Sequence, residues 1–171
     1  LYPLYLSAFI FMGASEAAFK VAYFVIFILS IVIVYLTTRN LFGSREALAT
    51  SAIMASIQPI ADYIAMGYSE AMVLIFYTLV VWAIIRSIET ERYIIYAGLF
   101  AGLGYLTRSS IGYFFLLAGL AGFVWRFYYM RWRVLRNRNY LMAIIVFFSF
   151  VGAWAARNIV RFWDGTFIGL F

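Results

Sequence analysis

The chain has 171 residues, of which 67% are hydrophobic, 22% aromatic and 12% charged, and it carries a net charge of +6. No soluble domain of this size needs so much apolar surface, so the composition points to an all-α, polytopic membrane protein. There is no Cys and no His, which excludes disulfides and thiolate metal sites and leaves Asp, Glu or Tyr as any general base.

Leu1–Gly13 is apolar but short for a bilayer span, and Pro3 interrupts its start. It reads as an interfacial or re-entrant helix, or as the tail of a loop. The chain does not begin with Met and opens inside an apolar stretch, which suggests a segment of something longer. Glu16 and Lys20 lie four apart and pair on one helical face as an interfacial surface pair. Val21–Thr38 is uncharged and is the clearest span. Arg39–Glu46 reads as a tight turn, with Gly43 as the break and Ser44 as the N-cap of the next helix. Ala47–Ile57 continues as a small-residue helix up to Pro59.

Gln58–Glu70 is polar, broken by Pro59 and Gly67, and lies between two uncharged runs. It holds Asp62, Tyr63, Tyr68, Ser69 and Glu70. Irregular backbone in a membrane protein survives at the water interface or against a cavity, and carboxylates beside the apolar phase suggest a site. Ala71–Ile85 is the following span and residues 86–92 form a short charged loop. Tyr93–Thr107 and Ser109–Trp125 are two spans hinged at Arg108. Gly98 and Gly102 make a small-xxx-small pair that signals close helix packing. Gly102-Leu103-Gly104 lacks the strand–turn–helix context of a phosphate loop.

Arg126–Arg138 interleaves five arginines with Trp125, Tyr128, Tyr129 and Trp132. That mixture also occurs in RNA-binding patches. Its place between two spans makes it an interfacial helix on anionic headgroups, so no nucleic-acid partner is expected. Asn139–Ala156 is the last span, and Arg157–Phe171 starts an outer loop. The expectation is one transmembrane domain. Residues 1–20 end a first outer loop, and about six spans fill residues 21–156.

Nine of the 13 cations, Arg39, Arg45, Arg86, Arg92, Arg126, Arg131, Arg133, Arg136 and Arg138, fall on one side. The other side keeps Lys20, Arg108, Arg157 and Arg161. The positive-inside rule puts the first side in the cytoplasm. Glu16, Asp62, Glu70 and Asp164 then collect outside. Such a face suits a reaction between a lipid-linked phosphate and a hydroxyl. A cation stabilises the phosphate, a carboxylate takes a proton or holds a metal, and aromatic rings stack on sugar.

Several stretches, in order, resemble the GT-C superfamily of polyprenyl-phosphate-sugar glycosyltransferases, in particular its protein O-mannosyltransferase and aminoarabinose-transferase-like branch. Tyr2-Pro3-Leu4-Tyr5 resembles the end of the first outer loop, and Arg39-Asn40-Leu41-Phe42-Gly43 the cytoplasmic turn after the second span. Tyr68-Ser69-Glu70 is similar to the acidic motif opening the fourth span. Gly102-Leu103-Gly104-Tyr105-Leu106-Thr107-Arg108 is similar to the Gly-rich helix ending in Thr-Arg. Trp154-Ala155-Ala156-Arg157-Asn158, followed by Gly165-Thr166-Phe167, resembles the exit from a later span.

The resemblance implies an inverting transferase that moves a sugar from a polyprenyl-phosphate donor to a protein, lipid or glycan acceptor on the outer face. It implies that Glu70 is catalytic or a cation ligand and that Arg108 contacts phosphate. Tyr68, Ser69, Arg157 and Asn158 complete the substrate-binding set. No organic cofactor is implied, and a divalent cation stays open. The catalytic Asp of the family stands upstream of the Tyr-Pro motif, so this stretch would be an inactive core fragment of an enzyme. Asp62 matches no motif and reads as an interfacial residue. The implied location is a cell membrane, prokaryotic plasma membrane rather than endoplasmic reticulum. A glycolipid-anchor-type mannosyltransferase, a transporter and a non-catalytic membrane-assembly subunit remain as alternatives. A transporter would carry mid-span charges and internal repeats, and neither stands out here.

Overall fold

The computed structural model describes residues 15–57, 70–107 and 137–163, together with Ser7, Ile10, Phe11, Gly13, Val124 and Tyr128. These residues form five helices: α1 Glu16–Phe42, α2 Ser44–Ser56, α3 Glu70–Glu89, α4 Tyr93–Thr107 and α5 Arg138–Trp163. Three of them, α1, α3 and the Arg138–Val160 part of α5, are long and apolar enough to cross a membrane, and α4 is a shorter apolar helix. Among the described residues there is no strand. The all-helical membrane bundle expected from composition is observed. The expected span Ser109–Trp125 and the segments Gln58–Ser69 and Arg126–Arg136 lie almost wholly outside the described residues.

Helix ends are set by local chemistry. Ser15 caps α1, its side chain accepting from the backbone N–H of Ala18 at 3.3 Å. Gly43 ends α1 and starts α2 in one residue, at φ 109° and ψ 177°. The turn is tighter than the expected 39–46 loop. Gly43 takes the N-cap place assigned to Ser44, which is instead the first helical residue, and no side chain caps α2. A single left-handed residue between two helices leaves no room for a capping side chain. Charge likewise fails to stop α3. The helix runs through Arg86 to Glu89, and Arg86 pairs with Glu89 at 2.8 Å. Helix α5 is still helical at Trp163, past the exit expected at Arg157.

Hydroxyls inside the apolar helices bond to their own backbone. Ser30 donates to the Ile26 carbonyl at 3.0 Å, Thr37 to Ile33 at 2.7 Å and Ser149 to Ile145 at 2.7 Å. Each polar group is thus satisfied within its helix, which a hydrocarbon environment demands. Large apolar side chains such as Phe24, Ile28, Val32, Leu141, Ile145 and Phe148 face outward. That pattern suits lipid, where exposed apolar surface carries no cost of hydration.

The packing order is α2–α1–α3–α4–α5. One core joins Val80 and Ala83 of α3, Ala97 and Ala101 of α4, and Phe147 of α5. A second joins Tyr23 and Phe27 of α1 to Ala71 and Met72 of α3, with Met54 of α2 against it. Helix α4 is the enclosed one: Tyr96 alone of its 15 residues is exposed. The Gly pair does the work expected of it. A Cβ at Gly98 would run into the Ala143 carbonyl group, and one at Gly102 into the Phe150 ring, with the Ala143 carbonyl carbon and Phe150 Cγ each at 2.9 Å.

Direction follows from these contacts. Gly98 faces Ala143, Gly102 faces Phe150, and the Tyr105 ring meets Trp154 edge-on at 5.4 Å. Both numbers rise together, so α4 and α5 are parallel. Helices α3 and α4 are antiparallel across the Thr90–Arg92 turn, and the start of α3 packs against the first half of α1 at Tyr23 and Phe27.

Gly98→Val should push α5 away from α4. Overpacking of this kind costs about 1–3 kcal/mol. The full-length protein in detergent should therefore melt several degrees lower, whereas Gly152→Ala, where a Cβ meets nothing within 4 Å, should leave the melting temperature unchanged.

Candidate functional site

The helix directions sort the described residues between two ends of the bundle. One end holds the start of α1 with Glu16 and Lys20, the end of α2, the start of α3 with Glu70, the end of α4 at Thr107, and the α5 turn Trp154–Asn158. The other end holds Arg39, Arg45, Arg86, Arg92 and Arg138, with Glu46, Glu89 and Glu91. Packing contacts thus put Glu70 and Arg157 at the same end, the side to which the charge count assigned them, and Asn158 lies with them.

Glu70 is the first residue of α3. A carboxylate there is favoured by the positive end of the helix dipole. It is half-buried, and its Oε2 is shielded from solvent. The next two residues, Ala71 and Met72, are locked into the cluster around Tyr23, which has no exposed surface. Tyr23 therefore holds the start of α3 and with it the Glu70 backbone. Sequence reading passed over Tyr23 because its span is apolar all round and offers no stripe to mark an inward face.

Glu16 is a different kind of acid. Its Oε1 lies 2.7 Å from Lys20 Nζ, and the two side chains are 80% and 48% exposed. An exposed pair of this geometry contributes little to stability, in line with the surface role expected for it.

Arg157 is exposed and Asn158 half-buried on α5. They follow Trp154, whose ring packs on Tyr105 two residues before α4 ends at Thr107. Tyr68, Ser69, Arg108 and Asp62 lie outside the described residues. Arg108 comes directly after Thr107 in the chain, and Tyr68 and Ser69 directly before Glu70. Among the described residues no three acidic side chains gather as a metal site, and a lone carboxylate such as Glu70 does not chelate a divalent ion. A cation here would need further oxygen ligands from elsewhere.

One link escaped sequence reading altogether. Asn137 Nδ2 donates to Glu91 Oε2 at 2.6 Å, while Asn137 Oδ1 accepts from the Asn139 N–H at 3.0 Å. Asn137 thus caps α5 and ties it to the α3–α4 turn. Its Asn type in front of an apolar run was the available signal.

The all-helical bundle, the sorted charges and the motif order meet a direct match. The family model described as dolichyl-phosphate-mannose-protein mannosyltransferase aligns with residues 1–155. The chain belongs to that family. Membership makes it part of an integral membrane glycosyltransferase, as the resemblance implied. Among curated proteins and solved structures nothing matches the chain.

The two ends should be reached from opposite sides of the membrane. These 171 residues hold no Cys, so with any Cys outside them replaced by Ser, Glu16→Cys and Arg92→Cys each give a single reporter. In intact cells an impermeant maleimide should label one and not the other. Labelling of both from the same side would contradict the arrangement of ends.

Proposed function

We propose that the full-length protein moves a sugar, with inversion, from a polyprenyl-phosphate donor to an acceptor hydroxyl at the Glu70 end of the bundle, on the outer face of a prokaryotic plasma membrane. The observation that carries this reading is the family match over residues 1–155. The shared position of Glu70, Thr107 and Arg157 at one end supports it. The concentration of arginines at the opposite end supports an outward-facing site, since cytoplasmic ends collect Arg.

The chemistry follows from the donor. The acceptor oxygen attacks the anomeric carbon, and the bond from that carbon to the phosphate oxygen breaks with its electron pair staying on phosphate. The acceptor proton passes to a carboxylate, which the resemblance assigns to an Asp upstream of Tyr2. Arg108, with its planar donor fork, is suited to the charge that grows on the leaving phosphate. Glu70, shielded and fixed at a helix start, hydrogen-bonds the acceptor hydroxyl or orients it for attack. Tyr68, Ser69, Arg157 and Asn158 line the approach.

Two variants of the full-length enzyme test the assignment. Glu70→Gln preserves shape and should keep expression and melting temperature while lowering turnover about 100-fold, within the range for a positioned acid–base group. Sugar transfer from a polyprenyl-phosphate donor, assayed in liposomes, is the readout. Near-normal turnover would reduce Glu70 to a helix-start residue. For Arg108, replacement by Lys keeps the charge but loses the fork. Both Arg108→Lys and Arg108→Ala should weaken apparent donor affinity, the second more than the first, and unchanged affinity in both would remove the phosphate contact.

A further inference from the structure

At the arginine-rich end, away from Glu70, an open cleft of about 460 Å³ is lined by Trp82, Thr90, Arg92, Tyr93, Tyr96 and Phe100. Its wall is a continuous run of rings. Trp82 meets Tyr93 edge-on at 5.5 Å, Tyr93 meets Tyr96 at 5.8 Å, and Tyr96 stacks on Phe100 at 6.5 Å. The aromatic face belongs to α4, and Tyr96 is the position through which that enclosed helix reaches the surface.

The charge at the mouth is as informative as the rings. The turn carries two acids beside Arg92, and both are engaged elsewhere. Glu89 pairs with Arg86, and Glu91 accepts from Asn137. Among the described residues no acid pairs with Arg92. An exposed guanidinium without a carboxylate therefore stands over an apolar aromatic slot, with the Thr90 hydroxyl beside it. Tyr and Trp favour the headgroup level of a bilayer, and basic pockets between spans recruit anionic headgroups.

We propose that this cleft holds one anionic phospholipid, its phosphate on Arg92 and Thr90 and an acyl chain along Trp82, Tyr96 and Phe100. A soluble anion would use Arg92 but leave the ring wall empty. A zwitterionic lipid offers the same phosphate, but its own ammonium group competes with Arg92 for it. A lipid with a net negative headgroup leaves its phosphate free for the guanidinium and so matches both features best.

Fluorescence of Trp82 tests this in the full-length protein in nanodiscs, with Trp125, Trp132, Trp154, Trp163 and any tryptophan outside these residues replaced by Phe. Brominated phosphatidylglycerol should quench Trp82 at about one-fifth of the mole fraction that brominated phosphatidylcholine requires, the ratio expected for one guanidinium at a charged surface. R92Q should erase that difference. Equal quenching by the two lipids, or a difference that survives R92Q, overturns the proposal. Soluble glycerol phosphate that abolishes the preference would make the ligand a free phosphate and overturn it too. If the Trp replacements unfold the chain, native mass spectrometry of the otherwise unaltered protein decides. Retained phosphatidylglycerol that R92Q loses supports the lipid site, and equal retention by both forms overturns it.

Discussion

The close approach of α4 and α5 at Gly98 and Gly102 governs the arrangement of this bundle. Two glycines one turn apart let the Ala143 backbone and the Phe150 ring sit where side chains would otherwise stand. Dispersion, rather than water release, drives helix association in lipid, so contact at backbone distance is the main attraction available. The contact also fixes direction. With α4 and α5 parallel, the Trp154–Asn158 turn of α5 comes level with Thr107. In an antiparallel arrangement Arg157 would have gone to the arginine-rich end, and no common face with Glu70 would exist.

Length imposes the next constraint. At 1.5 Å per residue α4 is about 22 Å long, α3 about 30 Å and α1 about 40 Å. The hydrocarbon core is about 30 Å thick. Helix α3 matches it, and α1 exceeds it and carries Glu16, Lys20 and Arg39 near its ends. The described part of α4 is enclosed between α3 and α5, which shield nearly all of it from lipid.

Much of the helical layout was legible in the sequence, because uncharged runs flanked by charges have few other readings in a membrane protein. Tyr93–Thr107 is helical throughout and starts where expected, and the Gly98–Gly102 pair packs closely, as small-xxx-small spacing implies. The misjudged ends share a cause. Arg39, Arg86 and Glu89 mark where the apolar phase stops, and a helix has no reason to stop there when its hydrogen bonds can continue into the interface. Ser44 was misplaced by a single residue for a steric reason, the left-handed Gly43. Partners across the bundle were not legible. Small-residue spacing says that a helix comes close without saying which one, and nothing in the chain announces that Asn137 would meet Glu91, 46 residues away. Glu70, Arg157 and Asn158 were singled out from motif order, and packing places them at one end of the bundle, whereas Tyr23, which holds the start of α3, was not singled out.

The two acids at the Glu70 end differ in environment more than in position. Both begin a helix, and both gain from the same dipole. An acid whose whole purpose is to start a helix has no need of burial and does well in water with a neighbouring cation, which is the state of Glu16 beside Lys20. Glu70 is drawn in, with one carboxylate oxygen closed off from solvent. Glu70 directly precedes Ala71 and Met72, which pack against Tyr23 and Phe27, so its backbone is held by the core while that of Glu16 is not. The start of α3 is therefore the more enclosed of the two acidic positions at this end, and under the proposed function it is the one suited to meet an acceptor hydroxyl.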